Sequence, residues 1–89
     1  MRVYTVVKVS HINGADNSPV VLCTRKTMAK AEDYAEKRAK YYAFDKTDYE
    51  GGKGSMERFI QNTLPMYLVT RRGYGTIKLY IMPNDYEEE

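Results

Sequence analysis

Between Thr27 and Tyr42 the chain reads TMAKAEDYAEKRAKYY. At about 100° per residue, Met28, Ala31, Ala35, Ala39 and Tyr42 fall on one narrow stripe, while Lys30, Asp33, Lys37 and Lys40 point the other way. The spacing predicts an amphipathic helix whose alanine seam lets its backbone lie close to whatever it covers. Thr27 is the expected N-cap, because its hydroxyl can accept from an orphan amide of the first turn. Asp33→Lys37 and Glu36→Lys40 have the favourable i,i+4 order, worth about 0.2–0.5 kcal/mol per pair. Phe44 lies off the stripe, where the helix is expected to fray.

Around that helix the pattern changes to a period of two. Residues 2–10, RVYTVVKVS, predict a first strand, with Val3, Thr5, Val7 and Val9 on one face and Tyr4, Val6 and Lys8 on the other. HINGADNSP, at 11–19, is rich in turn residues and reads as a loop. A short second strand runs from Val20 to Thr24. After the helix, DKTDYEGGKG (45–54) reads as a polar, glycine-rich loop. Ser55 is then expected to cap a short helix carrying Met56, Phe59 and Ile60 at i, i+3, i+4, which Pro65 ends. A third strand spans Met66 to Thr70 or Arg71 and a fourth Thr76 to Met82, joined by the hairpin sequence RRGYG.

The expected fold class is therefore α+β: a four-stranded, mainly antiparallel sheet, ββα(α)ββ, with one long helix across one face and a short second helix. Its core would take Val3, Val7, Val9, Val20, Leu22, Met66, Leu68, Ile77, Leu79 and Ile81 beneath the helix. The back of the sheet would then show Tyr4, Val6, Lys8, Val21, Cys23, Tyr67, Val69, Arg71, Lys78 and Tyr80, too apolar a set to be left to water. Residues 1–82 form one domain and 83–89 an acidic, flexible tail. About fifteen apolar residues stand at core positions, so the margin of stability is thin and self-association or a partner would add to it.

Composition narrows the chemistry. There is one cysteine and one histidine among 89 residues. A lone cysteine makes no internal disulfide, and no apolar run nears the roughly 20 residues that span a bilayer. A cytoplasmic protein without a membrane partner is expected. Two Cys/His residues fall short of a structural zinc site, and no metal or cofactor is expected. Cys23 and His11 are far apart in sequence, and Cys23 reads as a small buried hydrophobe rather than a nucleophile. Asp45, Asp48 and Glu50 lack the twelfth-position acid of an EF-hand loop. GGKGS at 51–55 approaches a phosphate-binding loop, but its order departs from the Walker pattern. No catalytic set is visible, so an enzyme is not expected.

Charge is unevenly spread. Residues 1–82 hold fourteen Lys/Arg against eight Asp/Glu, whereas PNDYEEE ends the chain with four carboxylates. Two contact surfaces follow. The first is acidic and aromatic: Asp45, Asp48, Tyr49 and Glu50, then Asp85, Tyr86, Glu87, Glu88 and Glu89, with Asp-Tyr-Glu occurring twice. Carboxylates arranged this way can imitate phosphates and occupy a basic groove on a nucleic-acid-binding protein. The second is the uncovered sheet face with its hairpin: Tyr4, Lys8, Tyr67, Arg71, Arg72, Tyr74, Lys78 and Tyr80. That face suits a protein partner or a homodimer. Its tyrosines and cations also suit single-stranded nucleic acid, the alternative reading, although no RNP signature is present.

An opening strand MRVYTVVKV, a long loop, a short second strand and an Ala/Tyr/Lys/Glu helix, with nine tyrosines and no tryptophan, together resemble the small accessory proteins of bacterial viruses. The resemblance implies an early, non-enzymatic protein that binds one host component in the host cytoplasm and inhibits or modulates it. Nucleoid proteins, RNA polymerase, proteases and defence nucleases are typical targets. It carries no motif and so assigns no residue a role.

Overall fold

The computed structural model describes residues 2–12, 18–44, 54–71 and 75–85. Among these described residues six elements follow in order: β1 (Arg2–Ile12), β2 (Val20–Arg25), α1 (Met28–Phe44), β3 (Gly54–Gln61), β4 (Leu64–Arg71) and β5 (Gly75–Asp85). The fold is α+β, with one helix on a five-stranded antiparallel sheet ordered β2-β1-β5-β4-β3. The first and last strands lie side by side at its centre, paired from Arg2↔Asp85 to Ile12↔Gly75.

The helix forms as its pattern demands. Thr27 Oγ1 accepts from the Lys30 amide at 3.2 Å, and Thr27 O accepts from the Ala31 amide at 3.1 Å. Ala31, Ala35 and Ala39 are fully buried, Tyr42 is nearly so, and Phe44 is exposed. Lys37 meets Asp33 at 2.9 Å and Lys40 meets Glu36 at 3.6 Å. The alanine seam lets α1 lie low enough to touch all five strands.

The fifth strand is a correction. The stretch expected as a short capped helix, with Met56, Phe59 and Ile60 on one side, is β3. Asn62 and Thr63 both take positive φ, 51° and 64°, the geometry of a two-residue hairpin turn that matches strand twist. That turn sets Gln61 opposite Leu64 and pairs the whole of β3 with β4. An isolated helix of so few residues is marginal, whereas a ladder along an existing strand is not. Pro65 lies within β4, one residue before the β4–β5 ladder begins at Met66. β5 also runs on through Pro83 to Asp85, past residue 82 where the acidic tail was expected to start.

A second correction concerns which side of the sheet the helix covers. Beneath α1 lie Val6, Tyr67, Val69, Ile77, Leu79 and Ile81, with Tyr4 and Cys23 packed against them. Val3, Val7, Val9, Met66 and Leu68 are on the opposite side, because directly paired residues share a face and Val7 pairs Tyr80, which pairs Met66. Only β5 faces as expected in full. Both faces of β1 and β4 carry apolar residues, so the alternation had no preferred side, and a one-residue choice inverts the entire set. β2 splits at a bulge: the register moves between Val6↔Cys23 and Val7↔Val21, leaving Leu22 as the extra residue. Leu22 and Cys23 therefore both reach the core while Val21 turns to the open side.

Two glycines are demanded by close approaches. Gly75 has φ +148°, and a Cβ there would sit 2.3 Å from His11 O. At Gly54 a Cβ would meet Ala43 O at 2.6 Å, where the end of the helix crosses the start of β3.

Candidate functional site

The uncovered face is built in rows, since each cross-strand pair places two side chains on the same side. One row is apolar from edge to edge: Val21, Val7, Tyr80, Met66 and Phe59, one residue from each of the five strands. The next holds Val9, Lys78, Leu68 and Glu57. Beyond it His11, Thr76, Thr70 and Ser55 make a polar margin. On the other flank Thr5 pairs Met82, which is 50% exposed. The face thus grades from apolar at one end to polar at the other.

A depression of about 530 Å³ is floored by Val7, Val9, Leu64, Met66, Tyr80 and Met82, with Pro19 and Pro83 at its margin. Met66 is 9% exposed yet stands outside the core cluster under the helix, so its neighbours on the open side are what bury it. Val21, at the edge, is 62% exposed.

The tyrosine and basic set expected on the open face is divided by the fold. Tyr80 and Lys78 are there. Tyr67 is fully buried under α1, Arg71 is buried and donates from Nη1 to Tyr42 O at 3.3 Å, and Tyr4 packs against the core. The Lys8 ammonium lies 5.3 Å from the centre of the Tyr42 ring. These four residues hold the helix to the sheet and cannot stack on bases in this arrangement. Arg72 and Tyr74 lie outside the described residues. So do Asp45, Asp48, Tyr49, Glu50, Tyr86, Glu87, Glu88 and Glu89. Asp85 ends β5 and meets Arg2 at 3.5 Å, both side chains largely exposed.

The remaining chemistry is structural in character. Cys23 and His11 stand on opposite faces of the sheet, so they form no nucleophile–base pair. Burial pushes the Cys23 thiol up, with Arg25 pulling the other way, which lowers its thiolate fraction. Gly54 and Ser55 open a strand rather than the expected capped helix, so Ser55 presents no helix N-terminus to an anion. Under the helix, Glu32 Oε1 accepts from Arg58 Nε at 3.0 Å and from the Tyr67 hydroxyl at 3.5 Å. The hydrogen bond to Glu32 pushes the Arg58 guanidinium up, and burial pushes the Tyr67 phenol up. Among the described residues no group of three or more His, Cys, Asp or Glu is placed to hold a metal ion. No helix among them is long and apolar enough to cross a membrane.

Sequence reasoning missed the apolar row. The sequence pattern places three of its members, Val7, Met66 and Phe59, on the buried side or in a helix. No local signal separates β3 from a helix: residues 55–61 read polar, apolar, polar, polar, apolar, apolar, polar, which is no strand alternation. Compared with protein-family models, curated proteins and solved structures, the chain matches none.

Proposed function

We propose that this chain is a non-enzymatic interaction protein that binds another protein through the uncovered face of its sheet. The observation that carries the reading is the row Val21, Val7, Tyr80, Met66 and Phe59, apolar across all five strands and open to solvent at its edge. Folding removes apolar surface from water wherever it can, and an extended apolar patch left uncovered marks a contact site. A protein suits this face better than nucleic acid, because its charges are few and only one of its described tyrosines, Tyr80, is available for stacking. The likeness to accessory proteins of bacterial viruses makes a host protein one candidate partner. The acidic–aromatic segments, apart from Asp85, lie outside the described residues and play no part in the reading.

The test is capture from a nuclease-treated bacterial lysate by the intact chain and by Tyr80→Glu, with circular dichroism as the check on folding. Tyr80 sits at the middle of the row, and a carboxylate there must be desolvated by anything that docks. A protein retained by the native chain and lost with Tyr80→Glu supports the reading. Retention that Tyr80→Glu leaves unchanged, in a folded variant, sinks it.

A further inference from the structure

We infer that the outer edge of β3 receives an extended segment of another protein as a sixth, antiparallel strand. That segment carries two successive apolar residues and, two positions further on, a lysine or arginine. The surface is the edge of the sheet rather than its open face, so the inference stands apart from the role proposed for the row around Tyr80.

Among the described strands the sheet has two edges, β2 and β3, and they differ. β2 is six residues long, follows Pro19 and is broken by the bulge at Leu22. Short length, proline and bulges are the devices that stop an edge from pairing. β3 carries none of them. Its eight residues pair with β4 one for one, from Gly54↔Arg71 to Gln61↔Leu64, with no shift of register and no proline. Such an edge is a template for another extended chain, whose amides and carbonyls answer its own.

The turn at Asn62 and Thr63 fixes which backbone groups face outward. A two-residue turn closes on a hydrogen bond from the Leu64 amide to Gln61 O, so Gln61 and Leu64 form a hydrogen-bonded pair. Hydrogen-bonded and non-hydrogen-bonded pairs alternate along an antiparallel ladder. Gln61, Phe59, Glu57 and Ser55 therefore turn their amides and carbonyls to β4, while Ile60, Arg58, Met56 and Gly54 turn theirs to the edge. Pro65 agrees with this phase: it stands opposite Ile60, where the ladder asks for no amide.

Side chains set the chemistry of the incoming strand. On the open side, the apolar row ends at Phe59 and the row containing Lys78 ends at Glu57. On the helix side Ile60 is 60% exposed. Ile60 and Phe59 each call for an apolar neighbour, one on each side of the sheet. Glu57 is exposed, and none of the ion pairs among the described residues uses it, so its neighbour is basic. Arg58, between them, is already held by Glu32. Every ladder in the sheet is antiparallel, the slightly more stable arrangement. A strand running antiparallel to β3 thus reads apolar, apolar, any residue, basic.

Amide hydrogen exchange of the intact chain by NMR, alone and with the synthetic peptide Thr-Val-Val-Thr-Lys-Val-Thr-Thr up to millimolar, tests this. In the free chain the Met56, Arg58 and Ile60 amides should exchange quickly while those of Glu57 and Phe59 are protected. The peptide should slow the outward set about tenfold. Glu57→Lys should weaken its binding about fivefold, and exchanging the peptide's lysine for glutamate should restore it. Ile60→Pro removes one outward amide and no bond to β4, so it should abolish binding with circular dichroism unchanged. Tyr80→Glu should leave binding as it is. Outward amides already protected in the dilute free chain would mean that the edge is covered from within, and would overturn the inference. Protection that grows with protein concentration alone would put a second copy there instead and overturn it too. So would a peptide that leaves these amides unchanged, or one whose binding survives Ile60→Pro or is lost with a folded Tyr80→Glu.

Discussion

Arg58, on the edge strand β3, reaches across to α1 and sets its Nε 3.0 Å from Glu32 Oε1, while the phenol of Tyr67 on the next strand points at the same oxygen from 3.5 Å. One carboxylate oxygen thus ties the first half of the helix to two neighbouring strands. Among the described strands β3 is at the edge, and this link adds to the packing of Met56 in holding it against the helix.

Arg58→Ala should therefore loosen β3 locally rather than unfold the protein. Native-state hydrogen exchange should show faster exchange for the β3 amides, with those of β1 and β5 unchanged. Exchange that is equally faster in the central strands would mean that the pair supports the whole fold instead of the edge.

The Tyr67 phenol gives the protein an alkaline limit. Burial raises its folded pKa above the unfolded value of about 10, so the folded state holds the proton while the unfolded state releases it. The stability that follows is fully present below about pH 10 and is lost as pH rises through the folded pKa. Urea midpoints measured upward from pH 8 should fall along this limb, and Tyr67→Phe should flatten it. A profile identical in the two proteins would exclude Tyr67 as the source.

Ala35 and Ala39 have no exposed surface and face the sheet along the closest approach of the helix. Ala35→Leu adds three carbons where there is no space, and should cost about 1–3 kcal/mol by urea denaturation. Ala29, exposed on the same helix, is the control and should tolerate leucine with little change.

Gly75→Ala meets two obstacles at once: a φ of +148° and a Cβ 2.3 Å from the His11 carbonyl. The expected loss is about 1–3 kcal/mol from the backbone alone, with the clash in addition. Because Gly75 is paired with both Ile12 and Arg71, amide shifts should move at the polar end of β1, β4 and β5 and not at the Arg2–Asp85 end.

The two ways in which the face was misread have different physical origins. Met56, Phe59 and Ile60 satisfy a helical spacing in a window too short to tell a helix from a strand. The turn at Asn62 and Thr63, and the strand it returns along, decide the matter, and neither is visible from inside the window. The inverted face has another cause. Val3, Val7 and Val9 are as apolar as Tyr4, Val6 and Ile12, and Met66 and Leu68 as apolar as Tyr67 and Val69. A period of two identifies a strand but not its inner side unless one side is polar.

By itself the chain determined what neighbouring residues can settle. The stripe of alanines, the Thr27 cap and the two i,i+4 ion pairs define α1, and alternation defines β1, β2, β4 and β5 to within a few residues. Only the tertiary structure decided the strand order, the strand character of 54–61 and the side on which the helix lies. Those depend on pairings such as Arg2 with Asp85, contacts between residues at opposite ends of the chain whose energies no local pattern encodes. The apolar row exists only once all five strands are in register, so the proposed docking surface is a property of the assembled sheet rather than of any segment in it.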